Sequence, residues 1–191
     1  MVHWLHAALS MQHFRRVISL SCVFAAACIS GVTPDGGGGG GGHSPDAGVT
    51  PVGPTADDLA REWSGCMTLD HFQLANMTAW GSLVAGTGQD CASCHGTGFE
   101  GFFADRDATA MFNAITTTKQ FLLNYFSPDV ANHKMIINQT IFQAVASGQP
   151  PFQGHPTFNP TNNAGMTALR SFYDVTSLQQ QSHTCDPPRL Q

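Results

Sequence analysis

The residues of this chain with the clearest chemical potential are Cys91-Ala92-Ser93-Cys94-His95. Two thiols two residues apart can reach the two vinyl groups on one edge of a porphyrin. An imidazole directly after the second thiol can then swing beneath the ring and ligate the iron. This C-x-x-C-H pattern is the attachment signature of a c-type haem. The expected cofactor is one covalent haem c, bound through Cys91, Cys94 and His95, with His95 as proximal metal ligand. The small residues Ala92 and Ser93 leave the intervening turn uncluttered.

Other chemistries use the same residue types. Half of a structural zinc site would need two further ligands, commonly a second close pair, and the sequence has no such pair. A thioredoxin-type redox pair sits at a strand–helix junction of an α/β domain. The sequence around Cys91 does not alternate strands and helices, and His95 would then be incidental. No catalytic carboxylate pair or nucleophile–base set is legible beside the motif, so the expectation is an electron-transfer protein and not an enzyme. A haem enzyme or a gas or peroxide sensor with an open sixth iron position is the alternative. A surface lipoprotein without haem is the third reading.

The other four cysteines are Cys22, Cys28, Cys66 and Cys185. Cys22 lies in an apolar run, Val17 to Ala27, that follows Arg15 and Arg16 and is too short to span a bilayer. Residues 1–27 thus read as an export signal. The run ends in Ala25-Ala26-Ala27-Cys28, which satisfies an ordinary A-x-A cleavage site and also resembles a bacterial lipobox, with Ala25 where leucine is usual. On the second reading Cys28 is lipidated. Residues 28–55 form a tether: seven consecutive glycines, Gly36 to Gly42, with Pro34, Pro45, Pro51 and Pro54, cannot bury enough apolar surface to offset ordering entropy. A tether directly after Cys28 suits a lipid-anchored domain standing off a membrane. The expected location is the periplasm or cell envelope. In such an oxidising compartment the remaining Cys66 and Cys185 are most simply a disulfide, with two free thiols as the alternative.

The chain has 191 residues, is 42% apolar and 11% charged, and carries a formal charge of −5. Loss of the signal removes two arginines and no acid, leaving six basic against thirteen acidic residues. No basic block remains, which argues against nucleic acid as a partner. The expected partners are a redox protein and, through the lipid, a membrane.

Residues 56–191 are expected to form one all-α domain. Thr55 or Asp57 can cap a first helix through Leu59, Ala60 and Trp63. A second runs from Asp70 through Phe72, Leu74, Ala75, Ala79 and Leu83 to Gly86. Asp107 caps a helix with Met111, Phe112 and Ile115, and Lys119 to Phe126 continues as another. Ser127-Pro128-Asp129 reads as the start of a helix through Val130, Met135, Ile136, Ile141, Phe142 and Val145 to Gly148. A proline-rich loop then extends to Asn163, and a final helix from about Ala164 presents Met166, Leu169, Phe172 and Tyr173. Over roughly residues 68–178 this layout resembles the monohaem class I cytochrome c family. The resemblance implies a helical fold around one haem and a distal ligand from the loop before the last helix.

That family's distal ligand is usually a methionine in a Met-Pro context, and here Gln149 stands where the motif might start. The same loop supplies His155, followed by Pro156, so coordination by His95 and His155 is expected. Met166 is the next candidate, though its period with Leu169 and Phe172 fits core packing. Met111 and Met135 lie on apolar helical faces. His71 and His133 read as solvated, and His43 and His183 fall in the tether and tail.

Overall fold

A computed structural model describes residues 53–191. The export signal, Cys22, Cys28, His43 and most of the tether lie outside the described residues. Roughly half of the described chain is helical, and the remainder holds one small antiparallel sheet.

The first helix, α1 (Ala56–Cys66), starts as the sequence dictates. Thr55 Oγ1 accepts from Asp58 N at 3.2 Å, and the Asp58 carboxylate accepts from Thr55 N at 2.9 Å. This reciprocal pair satisfies two backbone donors that a helix start otherwise leaves orphaned. Leu59, Ala60 and Trp63 are buried, so α1 is part of the core. Next comes α2 (Leu69–Leu74), capped by Thr68. The single long helix expected from Asp70 to Gly86 does not form. Asn76 adopts a left-handed φ of 57°, and a short 3-10 turn, Met77–Ala79, follows. Leu74 is accordingly 83% exposed, despite its helical spacing with Phe72.

A one-turn helix, α3 (Ala92–His95), carries the cysteine–histidine motif. Beyond it, α4 (Ala108–Thr117) begins where Asp107 accepts from Ala110 N, and α5 (Lys119–Tyr125) follows. The strands β1 (Phe126–Asp129) and β2 (Lys134–Ile137) then pair antiparallel, Phe126 opposite Ile137 and Asp129 opposite Lys134. This hairpin corrects both the all-α expectation and the helix expected from Ser127. Asp129 caps a 3-10 turn at Val130–Asn132 instead of an α-helix, and His133 turns left-handed at φ 51°. Helical periodicity cannot run through such a residue. Met135 faces the core, whereas Lys134 and Ile136 face outward, as strand alternation requires. The helix resumes as α6 (Gln139–Ser147), capped by Asn138 and ended by Gly148 at φ 60°.

The last helix, α7 (Ala164–Gln181), is capped by Asn163, whose side chain accepts from Met166 N at 2.8 Å. Phe172 packs edge-on against Phe72, 5.3 Å between ring centroids, and Tyr173 lies 5.5 Å from Trp63 while its hydroxyl donates to Met135 O. These contacts tie α7 to α1, α2 and the hairpin. The tail then returns to α1. Cys66 and Cys185 form a disulfide across a separation of 119 residues. Asp186 N donates to Gly65 O, and the Ser64 hydroxyl accepts from both Arg189 N and Leu190 N. Leu190 is buried and the Arg189 guanidinium lies over Phe112.

Candidate functional site

The chain leaves the core at Trp80 and Gly81 and doubles back before the motif. Leu83 O accepts from Cys91 N at 3.0 Å, Gly81 O accepts from Ala92 N at 3.1 Å, and Val84 bridges Asp90. A Cβ on Gly81 would sit 2.4 Å from Asp105 O, so only glycine allows the Asp105 backbone this close. Asp90 then clamps the turn: its Oδ1 accepts from Ser93 Oγ at 2.8 Å and from Ser93 N at 2.9 Å, and its Oδ2 pairs with Arg106. The Ser93 hydroxyl, its backbone N–H and the Arg106 charge together hold the Asp90 carboxyl below the usual carboxylate range.

This clamp closes α3, on which His95 is nearly buried. The His95 ring stands edge-on to Phe102, 5.2 Å between centroids. Its Nδ1 lies 2.9 Å from Phe99 O. A carbonyl only accepts, so Nδ1 carries the proton and Nε2 keeps its lone pair. Metal-bound histidines are characteristically oriented in this way by a backbone carbonyl.

Cys91 is half-buried, Cys94 is exposed, and neither is in a disulfide. Burial, with smaller contributions from Asp90 and Cys94, pushes the Cys91 thiol up to about 11. Thiol–disulfide exchange requires a thiolate, so Cys91 lacks the activation of an attacking redox thiol. The pair also follows an irregular turn and not a strand, unlike the junction a thioredoxin-type site uses.

The proline-rich loop from Gly148 to Asn163 brings His155 to the same place. Phe152 N donates to Gln149 O and His155 N to Phe152 O, so the loop winds tightly around the cis Pro150-Pro151 peptide. Gly86 N donates to Thr157 O at 2.9 Å, fastening the loop to the chain that precedes the motif. The His155 ring centroid lies 6.0 Å from that of His95, at an interplanar angle of 33°. His155 Nδ1 lies 2.9 Å from Pro156 O, so Nε2 is again the nitrogen left over. Burial lowers the His155 pKa, the Pro156 carbonyl opposes this, and proximity to His95 lowers it further.

A metal ion bound by imidazole nitrogens on opposite sides, each bond about 2.0 Å, sets the ring centres roughly 6 Å apart. The 6.0 Å between the His95 and His155 ring centres is compatible with that separation. Among the described residues no group of three or more His, Cys, Asp or Glu could hold a bare ion.

Behind the two histidines stands an aromatic wall. Trp80 stacks on Phe142 at 4.9 Å and meets Phe102, Tyr125 and Phe158 at 5.8, 6.0 and 6.2 Å. Phe158 is 6.2 Å from His155, just as Phe102 adjoins His95. Tyr125 donates its hydroxyl to Phe103 O, and burial raises its pKa well above the ordinary value. Trp80, Phe102 and Tyr125 carry no motif. The signal that could have found them is aromatic density beside C-x-x-C-H.

The other candidates are core or surface residues. Met111, Met135 and Met166 are fully buried in the core, and His133 and His183 are exposed. His71 lines a small cavity with Leu74 and Val175, far along the chain from the motif. A larger cavity of about 730 Å³, bordered by Glu62, His133, Tyr173 and Gln181, lies between α1, the hairpin and α7 and includes neither His95 nor His155. Comparison with known proteins matches no family model, no curated protein and no solved structure.

Proposed function

We propose that this chain is an exported electron carrier with one covalent haem c and that its fold is a variant of the class I cytochrome c type. The observation that carries the reading is the His95–His155 pair, 6.0 Å apart, with each Nδ1 engaged by a backbone carbonyl. Haem supplies a couple that gains and loses one electron when bound. The chain's own residues do the rest. Cys91 and Cys94 would hold the group as thioethers, formed by addition of each S–H across one vinyl double bond. The Phe99 and Pro156 carbonyls fix the tautomers that present Nε2 of His95 and His155. The Trp80–Phe102–Phe142 wall keeps water from one side of the site, which favours a small change of solvation on electron transfer.

Two imidazoles give a lower potential than an imidazole and a thioether. With His155 as a second iron ligand no position would be left for gas or peroxide, which would favour a carrier over an enzyme. In this reading Cys28 bears the lipid, residues 28–55 are the tether, and the domain works in the periplasm or cell envelope. None of the described helices is long and apolar enough to cross a membrane.

A haem stain of the denatured chain and a reduced-minus-oxidised spectrum test the proposal. Retained stain, a low-spin spectrum and the near-infrared band of a bis-imidazole centre are expected. A blank stain sinks it. Carbon monoxide binding to the reduced protein with no strong ligand to displace would favour the enzyme or sensor.

A further inference from the structure

The turn that holds His95 also presents an acidic face with an aromatic centre. Phe99 is 59% exposed, although its carbonyl accepts from His95 Nδ1 and its ring centre lies 6.4 Å from the imidazole. An apolar ring left in solvent at this position contributes nothing to the core. Glu100, also exposed, follows it in a left-handed conformation at φ 54°. On the other side of the turn, Asp105 Oδ2 would lie 3.7 Å from a Cβ on Gly96, so this carboxylate flanks the end of α3. Its Oδ1 accepts from Asp107 N, which brings the exposed Asp107 alongside. Ser93, Cys94 and Thr97 open onto the surface between these groups.

The charge on this face is one-sided. Between residues 90 and 107 the chain has four carboxylates, Asp90, Glu100, Asp105 and Asp107, against the single cation Arg106. Arg106 is already engaged by Asp90. Lys119, at the start of the adjoining α5, is engaged by Asp57. Glu100, Asp105 and Asp107 therefore have no ion-pair partner among the described residues.

We infer that this face docks a one-electron partner protein through a lysine- or arginine-rich patch, with Phe99 as the apolar contact at its centre. The inference rests on the haem-carrier reading and names its partner by charge. Opposite charge steers diffusional encounter and orients the partner, and does so most strongly at low salt. A second copy of this chain would present like charge to the same face, and an anionic lipid surface would be repelled by it.

The test uses the haem-loaded, isotope-labelled protein and a decalysine peptide as probe, with decaglutamate as control. Amide shifts confined to the stretch from Ser93 to Asp107 are expected with decalysine and absent with decaglutamate. Affinity should fall about tenfold or more between about 0.01 M and about 0.2 M salt, as the screening length shortens from about 30 Å to under 10 Å. Glu100→Lys should weaken the probe at least about threefold while leaving the visible spectrum unaltered. Shifts centred elsewhere, or an affinity indifferent to salt and to Glu100→Lys, overturn the docking face and leave the carrier reading intact. A chain isolated without haem overturns the carrier reading, and the partner assignment with it.

Discussion

Gly86 and Thr157 are joined by a backbone hydrogen bond of 2.9 Å, and through it the loop before the C-x-x-C-H turn grips the loop that carries His155. This bond brings together the two segments that carry His95 and His155, whose ring centres lie 6.0 Å apart.

From this follows the expected behaviour of His155→Ala. Loss of the imidazole opens one side of the site, and the visible spectrum of the haem-loaded protein should pass almost wholly from low-spin to high-spin. An unaltered spectrum removes His155 from the assignment and returns attention to Met166.

The cysteines should divide retention between them. Cys91→Ala or Cys94→Ala leaves at most one thioether, and covalent haem per chain, measured by mass spectrometry after acid denaturation, should drop to a minor fraction. Retention at the parental level in both single variants and in the double variant would falsify covalent attachment through this motif.

Asp90 predicts a pH dependence. Its folded pKa is lowered from the ordinary 3.8, chiefly by the Ser93 hydroxyl. A lowered acid contributes stability above its unfolded pKa and loses it as pH falls through the folded value. The difference in Tm between the parent and Asp90→Asn should therefore be widest near neutrality and should close as the pH drops below about 4. A gap equally wide at both ends would assign the effect to packing.

Removing the disulfide should cost stability and nothing else. Cys66 and Cys185 close a separation of 119 residues, and Cys185→Ser should lower unfolding free energy by about 4–5 kcal/mol on the chain-entropy account. Denaturant titration gives the loss, and the visible spectrum should stay as it was. A stability loss below about 1 kcal/mol would contradict the chain-entropy estimate.

What could be read from the sequence was mostly local. Thr55, Asp107 and Gly148 mark helix ends because their side chain, or lack of one, settles the matter within a few residues. The motif and the Cys66–Cys185 pair needed only spacing and a count, whereas His155 was singled out through the family resemblance. The hairpin was not legible. Val130, Met135 and Ile136 do not by themselves tell a helix from a strand, and His133 at positive φ is what breaks the helix. The break at Asn76 left Leu74 in solvent for the same kind of reason. The aromatic wall depends on Trp80 meeting Phe142 and Phe158, which are brought together by long-range packing that no local pattern encodes.

The clasp between the tail and α1 has a mechanical consequence. Tension applied between residue 53 and residue 191 runs along α1, crosses the sulfur bridge from Cys66 to Cys185, and leaves through the tail held at Ser64 and Gly65. The chain between the two cysteines, which includes the C-x-x-C-H turn, both histidines and the aromatic wall, carries no load. Under such a pull the backbone between the two cysteines is bypassed by the covalent bridge, and the force falls first on α1 and on the tail clasp.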